Sequence, residues 1–105
     1  MRASAGKRRP APGAARRAAV AERLAEHRLD ALLVTALPNI RYLTGFTGSN
    51  AMLLVFPSGA LLFTDPRYAL QAPAEADCRV KISKRRILSD IAAALARRRV
   101  RRLGF

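Results

Sequence analysis

The sequence predicts a single small α/β domain, and three observations lead to that expectation. The 105 residues suffice for one core and are too few for a second domain of ordinary size. A helix-forming stretch runs into the unbroken apolar run Ala31–Val34, which is typical of a strand covered on both faces. Further short apolar runs follow, separated by turn residues, and half of all residues are apolar. A packed interior is therefore expected.

The first half of the chain is predicted to hold a tail, a helix, the buried strand and a helical turn. Residues 1–15 are rich in Arg, Pro and Gly and are expected to form a disordered basic tail. Helix formers run from Ala14 to His27, with apolar residues four apart on one face. Beyond the buried strand, Asn39 is expected to cap a short helical turn that stops at Gly45.

A hairpin and a capped helix are predicted next. Two strands, Ala51–Phe56 and Ala60–Thr64, are joined by a Pro-Ser-Gly turn and should pair antiparallel. Asp65 can accept a hydrogen bond from an unpaired backbone N–H at a helix start, and Pro66 is tolerated at the first helical position. A continuous helix is therefore expected from about Arg67 to Glu75.

The last third predicts an edge strand, a helix and the beginning of another strand. In residues 79–83, Val80 and Ile82 alternate inward while Arg79, Lys81 and Ser83 are expected to point outward. From Ile87 or Leu88 onward, apolar residues recur on one face of a helix. A further strand is expected to begin after Val100, so the domain is expected to be cut short at its C-terminus.

The net charge of +13 is unevenly distributed and permits a nucleic-acid-binding alternative. Residues 1–17 hold six basic and no acidic residues, residues 79–105 hold ten basic and one acidic, and residues 18–78 hold four basic and six acidic. A small basic nucleic-acid-binding protein would use the runs Lys84–Arg86, Arg97–Arg99 and Arg101–Arg102. No aromatic residues are interleaved with these runs, so such binding is expected to be weak and non-specific.

Several function classes lack the residues they need. The single Cys78 cannot form an internal disulfide and is expected to be a small buried residue rather than a nucleophile. His27 is the one histidine and stands at no metal-binding spacing. No apolar stretch approaches the roughly 20 residues of a membrane span, so a cytoplasmic protein without a membrane partner is expected. The acid-free start also resembles an organelle transit peptide, and that alternative stays open.

Two strings carry a resemblance to a known family. Residues 30–50 are DALLVTALPNIRYLTGFTGSN, and residues 61–68 are LLFTDPRY, followed by Gln71. From about Ala18 to Phe105 the chain resembles the N-terminal domain shared by Xaa-Pro aminopeptidases, prolidases and creatinase. The resemblance implies a mixed β-sheet with helices packed around it over residues 16–105. Pro66 departs mildly from the family, whose members often carry Gly there.

The resemblance also implies what this chain lacks. In that family a larger domain of pita-bread fold holds a pair of divalent metals, such as manganese, with two Asp, one His and two Glu. No such ligand set is expected in this chain, so it should have no catalytic residue, metal or cofactor of its own and be inactive alone. The resemblance implies a non-catalytic domain that works with a pita-bread domain in cis or in trans, supports homo-oligomer assembly and borders the substrate cleft. The sequence agrees equally with three interpretations of the chain: a fragment, a separately encoded accessory domain and an orphan dimerisation domain.

The candidate contact residues are Arg41, Tyr42, Phe46, Ser49 and Asn50. Arg41 can pair with a carboxylate, and the two aromatic residues offer apolar surface to a substrate or partner. These residues form a segment expected at one exposed edge of the sheet. In the alternative interpretation the aromatic residues pack in the core, while Ser49 and Asn50 close a turn. Ser49 lacks the His–acid pair that a nucleophile needs. Asp65, Arg67 and Tyr68 are expected to serve structure, as a capped helix packed on the sheet.

Overall fold

A computed structural model describes residues 12–105, in which five strands form one sheet with helices on both of its faces. The strands are β1 (Ala31–Val34), β2 (Ala51–Phe56), β3 (Gly59–Thr64), β4 (Arg79–Ile82) and β5 (Leu103–Gly104). The helices are α1 (Pro12–Glu26), α2 (Leu37–Thr44), α3 (Gln71–Glu75) and α4 (Ile87–Arg97), with one 3-10 turn at Pro66–Tyr68. The predicted α/β class is confirmed.

The sheet is mixed, and its strands follow the order β4-β3-β2-β1-β5. β2 pairs antiparallel with both β1 and β3, whereas β4 runs parallel to β3 and β5 runs parallel to β1. The predicted hairpin and the predicted edge position of β4 are therefore confirmed. The strand expected after Val100 is β5, which lies at the opposite edge.

Strand alternation sends side chains into two separate cores. In β2, Leu53 and Val55 pack toward α1 and α2, whereas Leu54 and Phe56 pack toward α4. Both pairs are at least 96% buried because the sheet is covered on both sides. The apolar runs therefore continue through strands without a polar face. No helix in the described part of the chain is long and apolar enough to cross a membrane.

The N-terminal helix and the second helix begin earlier than predicted. α1 begins at Pro12, so residues 12–15 are helical and not part of a tail, and the rest of the expected tail, residues 1–11, lies outside the described residues. The cap position of α2 is Ala36, not Asn39, and it has no side-chain cap. Pro38 in the first turn explains this start, because its ring suits that turn and its missing N–H is not needed there.

The helix predicted from Arg67 to Glu75 is divided in two. Asp65 does cap the chain there, since its Oδ1 accepts the backbone N–H of Arg67 at 2.9 Å. The 3-10 turn then ends, and α3 begins only at Gln71. Pro73 accounts for the break, because a residue without an N–H cannot continue a helix that began at Arg67 but fits the first turn of one that begins at Gln71.

Two residues next to β4 differ in burial from a simple strand pattern. Ser83 is 1% exposed and donates its backbone N–H to the Thr64 carbonyl at 2.7 Å, so the expected outward position is wrong. Cys78 is half-buried against the core, and burial raises the pKa of its thiol. A raised pKa favours the unreactive thiol over the thiolate, as expected for a structural cysteine.

Candidate functional site

The candidate site lies where α2 turns into β2. We call residues 45–50 the α2–β2 loop; Arg41 and Tyr42 stand on α2 just before it. β2 is the central strand of the sheet, so the loop lies at the sheet end where its antiparallel neighbours β1 and β3 finish. The loop is exposed, but it lies at the end of a central strand and not at a lateral edge of the sheet, as was expected.

The loop begins with a glycine that the backbone requires. Gly45 has φ of +87°, and its N–H closes α2 by donating to the Arg41 carbonyl at 2.8 Å. A Cβ there would lie 3.0 Å from the Glu75 carbonyl oxygen. Thr44 reinforces the turn, since its buried hydroxyl donates to the Ile40 carbonyl and accepts the N–H of Phe46. Gly45 thus ends the helix as predicted.

Phe46 is an internal residue of the loop. Its ring is 99% buried and meets Tyr68 edge-to-face, with ring centroids 5.3 Å apart. Gly48 packs against both rings so closely that a Cβ would lie 2.2 Å from Phe46 Cζ and 2.9 Å from Tyr68 Cε1. The expectation that Phe46 offers aromatic surface is therefore wrong, and the alternative of core packing holds for this residue.

Thr47 is held by residues from α3. Its backbone N–H donates to Glu75 Oε1 at 2.8 Å, and its hydroxyl lies 2.9 and 3.0 Å from the two carboxylate oxygens. Gln71 Nε2 bridges the same pair with bonds of 3.2 Å to each partner. The bond from Thr47 N–H is the main cause that lowers the pKa of Glu75, and the Arg41 charge contributes a smaller lowering.

The end of the loop is held by residues around the 3-10 turn. Ser49 N–H donates to the Tyr68 hydroxyl at 3.0 Å, and the two hydroxyls lie 2.7 Å apart. Asn50 Nδ2 donates to Asp65 Oδ2 at 2.7 Å, and Arg67 forms a two-pronged ion pair with the same carboxylate. Bonds from Arg67 and then Asn50 hold the pKa of Asp65 far below its usual range. Ser49 and Asn50 thus join the end of the loop to the 3-10 turn and its cap.

Four of the five candidate residues are exposed, namely Arg41, Tyr42, Ser49 and Asn50. Arg41 is exposed, and within residues 12–105 its guanidinium makes no hydrogen bond or ion pair. It lines a shallow depression of about 430 Å³ together with Leu37, Pro38, Phe46, Thr47, Gly48 and Ser49. Tyr42 is 57% exposed but lies away from this depression, under the Arg16 guanidinium at 4.1 Å from its ring centroid. Asn50 likewise does not line it.

The framework of the site contains residues that sequence reasoning did not assign to it. The sequence pattern assigns Tyr68 and Asp65 to a capped helix. Both lie in the string of residues 61–68 that resembles the family, but nothing in that string indicates that they support the loop. Glu75 was missed altogether. No local signal points to it, because 28 residues separate it from Thr47.

We expect the stability of the domain to fall with pH below about 4. The pKa of Asp65, Glu75 and Asp30 is lowered in the folded chain, Asp30 chiefly by the backbone N–H groups of Arg101 and Arg102. A lowered pKa gives stability that is fully present above the unfolded value and is lost as pH falls through the folded one. Urea unfolding between pH 2 and 7, followed by circular dichroism, measures this.

The Asp65→Asn variant serves as the direct test of that pH dependence. Asparagine can still accept the Arg67 N–H but cannot keep the ion pair, so the loss of stability between pH 4 and 2 should become shallower. Glu22→Gln, at an exposed position of α1, is the matched control and should leave the slope unchanged. An identical slope in Asp65→Asn and the parent chain would contradict the assignment.

The groups around the site are few in chemical type. Ser49 faces a tyrosine hydroxyl, and the one histidine, His27, is exposed at the end of α1. Within residues 12–105, no three His, Cys, Asp or Glu side chains lie together so that they could hold a metal ion. The donor set therefore does not fit the metal pair implied by the family resemblance. The site consists of a hydrogen-bonded loop, a largely apolar depression and an exposed guanidinium.

A family model for the creatinase/prolidase N-terminal domain matches residues 16–105 of this chain. The chain belongs to this family. A solved N-terminal domain of the cytoplasmic peptidase PepQ from Mycobacterium tuberculosis is 42% identical with a TM-score of 0.80, over 87% of this chain and 72% of that one. An Xaa-Pro aminopeptidase from Streptococcus pyogenes is 38% identical with a TM-score of 0.77, over 87% and 71% of the two chains.

The creatinase/prolidase N-terminal domain described here is also similar to a full-length peptidase. YqhT from Bacillus subtilis is 43% identical over 44 residues, which are 42% of this chain. The match spans 12% of YqhT. The resemblance carried by residues 30–50 and 61–68 is thereby confirmed at the level of the family and the fold.

Proposed function

We propose that this chain is the non-catalytic N-terminal domain of a metal-dependent Xaa-Pro aminopeptidase or dipeptidase, in which the α2–β2 loop borders the substrate cleft. The observation that carries the proposal is the exposed guanidinium of Arg41, displayed beside a loop in which Thr47, Ser49 and Asn50 are hydrogen-bonded to other parts of the domain. A binding site for a partner is expected to combine an exposed charged group with a well-held loop, because rigid positioning reduces the entropy cost of binding.

Hydrogen bonds to distant residues hold the α2–β2 loop in place. Thr47, Ser49 and Asn50 are each bonded to a side chain at least 15 residues away in sequence. These bonds fix the backbone in one shape while leaving the depression beside Arg41 open. Its lining is largely apolar, with one cation at the rim, which suits a short peptide or a partner surface that carries a carboxylate.

The catalytic chemistry belongs to a partner domain in this proposal. A pair of divalent metals, manganese being one candidate, would be held by a pita-bread domain in cis or in trans, since the described residues lack the ligands. Homo-oligomer assembly through this domain and a cytoplasmic location are part of the same proposal. The similarity to a cytoplasmic peptidase supports the latter.

Arg41→Ala is expected to weaken catalysis without weakening the fold. The test uses a chimera in which residues 16–105 replace the segment of YqhT that aligns with them, assayed on Xaa-Pro peptides with manganese. Because Arg41 is exposed, the free energy of unfolding should change by less than about 0.5 kcal/mol. Loss of one charge-assisted contact should lower kcat/KM by about tenfold. Arg41→Lys should recover only part of this, since lysine lacks the planar fork.

Arg101→Ala is the matched control for that experiment. Arg101 is an exposed arginine beside β5, near the start of β1 and hence at the other end of the sheet. Its removal should leave kcat/KM unchanged. Equal effects of the two substitutions would overturn the cleft assignment, as would an Arg41→Ala variant that unfolds while the surviving enzyme keeps full activity. The 105-residue chain assayed alone should cleave no Xaa-Pro peptide, and turnover that survives repurification would refute its non-catalytic role.

A further inference from the structure

A basic groove runs between the edge strand β4 and helix α4, away from the α2–β2 loop. It consists of two adjoining depressions of about 640 and 240 Å³ that share Lys81 and Asp90 as lining residues. Six cationic side chains line the groove against one carboxylate, that of Asp90. The six are Arg79, Lys81, Lys84, Arg85, Arg86 and Arg97.

The positive charges in the groove have no ion-pair partner within residues 12–105. All six cationic residues are exposed, and in the described part of the chain none of them forms an ion pair. Arg79 and Lys81 stand on the α4 side of the sheet, because their register partners Leu61 and Phe63 belong to the core beneath α4. The groove therefore presents a large excess of positive charge beside one face of β4.

β4 also has an unused backbone edge. It is the terminal strand in the order β4-β3-β2-β1-β5, and within residues 12–105 no strand pairs on its outer side. Alternate N–H and C=O groups of residues 79–82 consequently face outward. Such an edge is a template for another extended chain.

The combination of charge and free edge narrows the choice of partner. A second copy of β4 would place its own Arg79 and Lys81 next to the Arg79 and Lys81 of the first copy, and like charges across a strand pair are destabilising. A nucleic acid could use the charges but not the strand edge, and the groove exposes no aromatic ring on which bases would stack: its one aromatic residue, Phe63, is 1% exposed. An acidic polypeptide can use both.

We propose that β4 accepts an extended acidic segment of a partner protein as an added strand, with acidic side chains of that segment paired to Arg79, Lys81 and Arg97. Main-chain hydrogen bonds along β4 supply one part of the affinity, and the charges in the groove select the sequence. This surface is separate from the one proposed to border the substrate cleft, so either proposal can fail without the other.

The probe is a fluorescein-labelled peptide of alternating Glu and Thr, about eight residues long, whose binding to the 105-residue chain is followed by fluorescence anisotropy. Arg79→Gln/Lys81→Gln should weaken binding about tenfold at low salt. Arg101→Gln/Arg102→Gln removes the same charge at the opposite edge and is the matched control, which should change binding by less than about twofold. Both pairs are exposed, and circular dichroism verifies that each variant stays folded.

Two further probes separate strand addition from simple charge attraction. The same peptide with its central amides N-methylated keeps every charge but loses its main-chain donors, so its binding should be lost. Equal binding of the methylated peptide would overturn the proposal. An oligothymidylate of similar charge should bind more weakly; if it binds more tightly and displaces the peptide, the groove is a nucleic-acid surface. If no probe binds at low salt, the charges only prevent other chains from pairing with the edge of β4. That result also refutes the proposal.

Discussion

Replacing Phe46 with alanine is expected to lower the free energy of unfolding by about 3–5 kcal/mol, as for a buried aromatic residue. The ring is 1% exposed, contacts Tyr68 edge-to-face and packs on Gly48. Its loss would leave a cavity beneath the loop and remove the support of its middle residues. Urea unfolding followed by circular dichroism measures the effect, and cross-linking or proteolysis of residues 45–50 would report the loosened loop.

Tyr42→Ala is the matched control for Phe46→Ala. Both residues were expected to offer aromatic surface, and they stand four positions apart, but Tyr42 is 57% exposed. Its removal forfeits a contact with Arg16 and should cost no more than about 1 kcal/mol. Comparable losses for the two variants would show that the burial of Phe46 does not stabilise the domain. If Phe46→Ala left the chain stable but impaired the activity of the YqhT chimera, Phe46 would instead contact the substrate or a partner.

Arg17→Ala is expected to destabilise the domain by about 2–3 kcal/mol, because it leaves several acceptors without a donor. The Arg17 side chain is 13% exposed and bonds the Asp77 carboxylate, the Asp77 carbonyl at 3.2 Å and the Leu43 carbonyl at 2.8 Å. It thereby ties α1 to the end of α2 and to the chain before β4. Arg17→Lys should recover little, since the single lysine nitrogen replaces two guanidinium nitrogens that reach the acceptors from separate positions.

The control for Arg17 is another ion pair on the same helix. Arg23 pairs with Glu26 at 3.3 Å, but their side chains are 70% and 65% exposed. Arg23→Ala should therefore change the free energy of unfolding by no more than about 0.5 kcal/mol. Thermal unfolding of both variants in the same buffer gives the comparison, and a loss from Arg23→Ala equal to that from Arg17→Ala would contradict the argument from burial.

Local sequence patterns determined most of the element order. Continuous apolar runs predicted β1 and β2 with the bounds that the structure shows, since a strand buried on both faces needs no polar alternation. The Pro-Ser-Gly turn predicted the hairpin, Gly45 the end of α2, and Asp65 the cap before the 3-10 turn. These features depend on residues within a few positions of one another, so the sequence contains their physical cause.

Only the tertiary structure decided which residues form the site. Phe46 and Tyr42 are both aromatic and near in sequence, yet the turn at Gly45 sends one into the core and leaves the other outside. The burial of Ser83 likewise follows from its bond to Thr64 on the neighbouring strand. Contacts such as Thr47 with Glu75 join residues that are far apart along the chain. The sequence itself determined the elements and the family, because turn chemistry and apolar periodicity act locally; burial and pairing at the site depend on how those elements pack.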